Sequence, residues 1–169
     1  ALLLTLLGVA VAAGGLPLLR SVAPAVLFLG FAVPLPYELE RNVGGPLKEV
    51  ATLGSTYLLQ TLGLPAVAEG NTILLGDHTL GVADACSGLK MLLTFAAFGV
   101  GAVLLLDRTW FEKGLILLGI VPIAVAVNVL RITATGVGFA VADPGTAKWL
   151  HDALGYPMMP AGLALLGAQ

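Results

Sequence analysis

Three side chains of this 169-residue chain are of the types that together break an acyl bond: the thiol of Cys86, the guanidinium of Arg131 and the imidazole of His151. Cys86 is the single cysteine. It sits in Asp84-Ala85-Cys86-Ser87-Gly88-Leu89-Lys90, where a polar loop passes into a long apolar run. A thiol at a helix N-terminus feels the positive end of the helix dipole, which favours the nucleophilic thiolate. Lys90, one turn further on, adds positive charge on the same face. Gly88 lets a substrate backbone approach closely, Ser87 keeps the helix start polar, and Asp84 is placed as its N-cap. A free cysteine is also a small apolar packing group, so the case rests on its position.

Arg131 lies in Val127-Asn128-Val129-Leu130-Arg131-Ile132, inside apolar sequence. Charged residues within membrane spans are costly and tend to be functional, although an arginine near a helix end can also snorkel to headgroups. Asn128, Arg131 and Thr135 form one polar stripe at i, i+3 and i+7. An arginine held by Asn128 can bind a peptide carbonyl, a developing oxyanion or a carboxylate. His151, in Trp149-Leu150-His151-Asp152, becomes the natural general acid/base once a thiol shares its membrane face. His78, in the Gly76-Asp77-His78 turn, is the competing histidine and reads as structural or solvated. A metal site made of Cys86, His78, His151 and Asp84 matches no recognised ligand spacing, and no cofactor is implied. Glu38 and Glu40, beside Arg41, read as solvated carboxylates.

The elements that must position these groups are membrane helices. The chain is 58% hydrophobic and 11% charged, against about a quarter charged in ordinary soluble domains, and its mean hydropathy is +0.99. A net charge of −2 with no basic patch excludes a nucleic-acid partner. We read an all-α polytopic membrane protein, a helical bundle forming a single integral membrane domain over residues 1–169. Spans are expected at about 2–19, 21–35, 86–106, 114–141 and 158–169, the fourth tilted, kinked or broken at Pro122. Apolar sequence runs to both ends, so further helices are expected beyond each. Residues 34–45 read as a turn-rich loop. Residues 46–63 read as an interfacial amphipathic helix, with Leu47, Val50, Gly54, Tyr57, Leu58 and Leu62 on one side. Lys48, Glu49, Thr52, Ser55 and Thr56 lie largely on the other. Residues 66–83 read as a short β-hairpin-like extracytoplasmic loop before the cysteine helix, with strands at 72–75 and 79–82.

Arg108 and Lys113 flank the short loop after the Cys86 helix and favour a cytoplasmic position for it. Cys86 then lies at the outer face. Arg131, about 18 residues past Gly114, rises roughly 27 Å and reaches the same face, as does His151. Arg20 fits the cytoplasmic side.

The run Ala85-Cys86-Ser87-Gly88-Leu89-Lys90, Pro122, Asn128-Val129-Leu130-Arg131-Ile132 and the later His151 resemble the exosortase/archaeosortase family over roughly residues 34–155. The resemblance implies a polytopic membrane enzyme in which a cysteine in an A-C-S-G context, an arginine in N-x-x-R and a later histidine form the catalytic set. These map onto Cys86, Arg131 and His151, with Asn128, Lys90, Ser87, Gly88 and Asp84 in support. It further implies a thiol protease or transpeptidase of a bacterial inner or archaeal cell membrane, with its active site on the extracytoplasmic side. Its substrates would be secreted proteins with a C-terminal sorting signal: a short motif, an apolar helix and a basic tail, held among lipid and spans. Cys86 would form a thioacyl enzyme, His151 would protonate the leaving amine, and Arg131 would stabilise the oxyanion or orient the substrate. Two other classes fit the residues: a non-catalytic scaffold or small transporter with Arg131 and Asn128 lining a polar path, and a subunit that only holds the sorting signal.

Overall fold

The computed structural model describes residues 2–34, 36–76, 78–82, 88–141, 160–165 and 167. It is built from helices α1 (Leu2–Phe28, continued by a 3-10 turn Leu29–Ala32), α2 (Tyr37–Thr61), α3 (Gly88–Leu105) and α4 (Trp110–Val141). Between α2 and α3 lies an antiparallel sheet, β1 (Ala66–Glu69), β2 (Thr72–Leu75) and β3 (His78–Gly81), in that order. A short helical stretch at 160–165 follows. Three helices are long and apolar enough to cross a membrane: Leu2–Ala32, Gly88–Leu105 and Trp110–Val141.

Local chemistry explains where the elements depart from the sequence reading. Residues 2–28 hold two helical segments joined across a kink at Gly15 (φ +66°), so the bend falls earlier than the boundary expected between spans at 2–19 and 21–35. Glycine alone adopts that conformation cheaply, and the helix resumes at once, leaving Arg20 inside it rather than in a turn. Helix α2 begins at Tyr37, so most of the expected loop at 34–45 is helical. Glu38 and Glu40 occupy its first turn, where carboxylates complement the helix dipole. Its Gly44 faces α3, where a Cβ would make ordinary contact with Leu89 at 3.7 Å. Helix α4 continues through Pro122. The hairpin gains a third strand, β1. Glycines with positive φ, Gly70 and Gly76, stand first in the two-residue connections of the meander.

The face of α2 differs in part from the amphipathic reading: Leu47, Gly54 and Leu58 are half-buried and Glu49 is exposed, but three hydroxyl residues of the expected polar side turn inward. Thr52, Ser55 and Thr56 are buried, whereas Val50, Leu53, Tyr57 and Leu62 point outward. Hydrocarbon is as apolar as leucine, so helices in lipid associate through small and hydroxyl side chains instead. The Ser55 hydroxyl donates to the Val129 carbonyl of α4 (3.2 Å), which also accepts from Thr133 (2.8 Å). A Cβ on Gly54 would lie 3.2 Å from Val129. With Leu47 and Ala51 around one small void with Ala124 and Asn128, Gly54 at Val129 and Leu59 at Gly136, α2 runs alongside α4 in the same direction for about 18 Å.

The sheet caps one end of this pair. Register Ile73↔Leu80 and Leu75↔His78 turns Ile73, Leu75 and Leu80 inward onto Leu59 of α2 and Ile132 of α4. Gln60 Nε2 donates to the Ala66 carbonyl (2.8 Å) and ties the end of α2 to β1. A second cluster, Met91, Phe95, Ile120, Ala124 and Val127, forms the α3–α4 seam. At the junction of helix and sheet, a Cβ on Gly136 would sit 3.0 Å from both Leu59 δ-carbons and 3.3 Å from Leu75. Gly136→Val is therefore expected to cost about 1–3 kcal/mol by overpacking, read as a lower midpoint in detergent unfolding of the purified protein.

Candidate functional site

Helix α4 starts with Thr109 and Glu112 in a reciprocal capping pair: the Glu112 carboxylate accepts from the Thr109 N–H (3.0 Å) and the Thr109 hydroxyl from the Glu112 N–H (3.4 Å). Arg108 pairs with Glu112 at 3.7 Å, and Trp110 (91% exposed) and Phe111 (81%) project outward beside it. Exposed aromatics next to basic residues mark a membrane boundary. From Trp110 to Arg131 the helix rises about 32 Å, the thickness of the hydrocarbon layer. Arg131 thus stands at the opposite boundary.

Three helices converge one turn below it. A Cβ on Gly88, the first described residue of α3, would lie 3.0 Å from Asn128 Nδ2 of α4 and 4.0 Å from Leu47 Cβ of α2. Only glycine leaves room for the Asn128 carboxamide, which is 3% exposed. Leu47, Ala51, Gly88, Leu92 and Asn128 surround a void of about 10 Å³, at the lower limit for a single water.

Two buried polar atoms here have no hydrogen-bond partner among the described residues: Asn128 Oδ1 and Arg131 Nε. Leaving such atoms unmade costs on the order of 1–3 kcal/mol each, so their coincidence one turn apart calls for an explanation. Among the described residues no carboxylate pairs with Arg131; the ion pair found there is Arg108–Glu112, at the other boundary. The guanidinium offers donors and the carboxamide oxygen an acceptor. A peptide group, with one C=O and one N–H, satisfies both.

The stripe Asn128, Arg131 and Thr135 faces inward, Asn128 and Thr135 being buried and Arg131 half-buried. The Thr135 hydroxyl donates to the Arg131 carbonyl (2.9 Å). Lys90 is exposed on α3. His78 is exposed too, its ring 6.3 Å from that of Phe139, which lies about 12 Å beyond Arg131 along α4. Cys86, Ser87, Asp84 and His151 lie outside the described residues. Sequence reasoning missed Ser55, whose hydroxyl bonds α2 to the Val129 carbonyl of α4, one residue from Asn128. Its place next to Gly54 was the available signal, because small and hydroxyl residues on one stripe mark a helix contact in lipid.

Three helices long and apolar enough to cross a membrane define a polytopic integral membrane protein. The chain matches the family model described as transmembrane exosortase over residues 1–168, nearly its whole length, and it belongs to that family. No curated protein and no solved structure matches it. The family is one of membrane proteases and transpeptidases that process the sorting signals of secreted proteins.

Proposed function

We propose that this chain is a membrane cysteine protease or transpeptidase that cleaves a C-terminal sorting signal at the outer face through a thioacyl intermediate. The observation that carries the reading is the pair of unpartnered buried atoms, Asn128 Oδ1 and Arg131 Nε, which a substrate peptide group would satisfy. Chain connectivity supports Cys86 beside them. It precedes Gly88 by two residues, at most about 7 Å of extended chain, and Gly88 abuts the Asn128 carboxamide. His151 follows the Arg131 end of α4, ten residues past Val141. The charge of Arg108 and Lys113 at the other boundary supports an outer position for the site.

In this mechanism the Cys86 thiolate attacks the scissile carbonyl, forming a C–S bond and an oxyanion held by Arg131. The oxyanion collapses, the C–N bond breaks, and His151 gives its proton to the leaving amine. An acceptor amine or water then attacks the thioester, His151 takes its proton, and the thiolate returns. Asn128 accepts from a substrate N–H, and Gly88 leaves room for the Asn128 carboxamide.

Intact mass spectrometry after incubation with peptides carrying candidate sorting signals tests the reading. The expected result is a hydroxylamine-labile adduct on Cys86, absent from Cys86→Ala. A panel of signals giving no adduct, with Cys86 inert to impermeant thiol reagents, would favour a scaffold or a transporter instead.

A further inference from the structure

Two apolar grooves run along α3, and they lead to different places. One lies between α1 and α3, lined by Phe28, Gly101, Leu104 and Leu105. It occupies the end of α3 next to Arg108, about 20 Å from Gly88. The other lies between the first half of α2, the first turns of α3 and α4, lined by Val43, Leu89, Leu93, Leu117, Ile120 and Val121. Leu92 is shared between this groove and the void beside Asn128, so the apolar channel ends at the carboxamide. Its rim is open, with Val43, Leu117 and Val121 40–52% exposed.

We infer that this second groove seats the apolar helix of the sorting signal, with the helix N-terminus at Asn128; the inference rests on the function proposed above. From Leu117 to Asn128 the wall extends about 16 Å and carries no charge, which suits three turns of an apolar helix. What closes it is Asn128 Oδ1, an acceptor with no partner among the described residues, with the donor Arg131 Nε one turn beyond. A helix N-terminus exposes N–H groups that have no partner within the helix. An acceptor at the end of the groove satisfies one of them, and the guanidinium meets the carbonyls of the preceding motif. An acyl chain has no donor for Asn128 within the groove, whereas a peptide helix brings its first N–H groups to it. Leu47 or Leu92 must swing aside for the amide to be reached, because the void beside it is already filled to about one water.

Photo-cross-linking in membranes tests this. The full chain in a Cys86→Ala background would carry p-benzoylphenylalanine at Leu93, Val121, Leu104 or Leu118. It would be co-expressed with a reporter ending in a polar motif, an apolar helix of leucine and alanine, and a lysine tail. The expected result is a reporter adduct from Leu93 and Val121 and its loss at Leu104 and Leu118. Adducts from Leu104 alone, or from Leu93 and Val121 to lipid or to a second copy of the chain, would overturn the groove assignment. Cleavage of the same reporter by the Cys86 chain is scored in parallel. Cleavage without groove adducts removes the groove assignment and leaves the function standing; neither cleavage nor adducts removes both.

Discussion

Cys86→Ala and Cys86→Ser are both expected to abolish sorting-signal processing, by about a thousandfold or more, while the protein still accumulates in the membrane. Alanine removes the attacking atom. Serine keeps its size and hydrogen-bonding capacity but is not ionised by a helix dipole and one lysine, so it does not attack. A packing cysteine would show the opposite pattern, with serine and alanine near normal. Immunoblots of substrate length in cells expressing each variant separate the two. The same assay assigns the histidine: His151→Ala is expected to lose processing, and His78→Ala, which would only remove a ring from beside Phe139, to retain it.

Arg131→Gln comes next, with an expected loss of about 10²–10³ in kcat/KM, the range associated with removing one oxyanion donor. Glutamine keeps a hydrogen-bonding side chain at the site but no charge. Arg131→Lys is expected to recover little, because an ammonium on a flexible stem does not reproduce the fixed fork of the guanidinium. Splitting the loss into its parts assigns the role. A fall in kcat at constant KM means that Arg131 stabilises the oxyanion; a rise in KM means that it orients bound substrate. Processing by Arg131→Gln at the wild-type rate would remove Arg131 from the mechanism altogether.

Much of the site can be read along the chain because membranes make certain residues conspicuous. Asn128 and Arg131 stand out against their apolar neighbours, and their inward orientation follows from the cost of turning them to lipid. Helices α3 and α4 come within a few residues of the expected spans, and strands 72–75 and 79–82 match β2 and β3 to within one residue. Helix α2 was harder to read, for a physical reason. An amphipathic pattern has two faces but no label saying which one meets the protein. A rule learned in water buries Val50, Tyr57 and Leu62, whereas this bundle buries Thr52, Ser55 and Thr56 beside Ala51 and Leu59. The kink of α1 was harder to place from spacing because Gly14-Gly15, Pro17 and Arg20 all signal an end. The chain bends at Gly15 and carries on, which only backbone geometry reveals.

The bond from Ser55 to the Val129 carbonyl fixes α2 to α4 through a main-chain atom, which no substitution at position 129 can delete. Compatibility between the two helices therefore depends on close backbone approach at Gly54 and Gly136 more than on any matched pair of side chains. Chimeras with other members of the family should therefore exchange α2 and α4 as one cassette. Grafting either alone would shift the other along its axis, and with it the height at which the guanidinium meets incoming cargo.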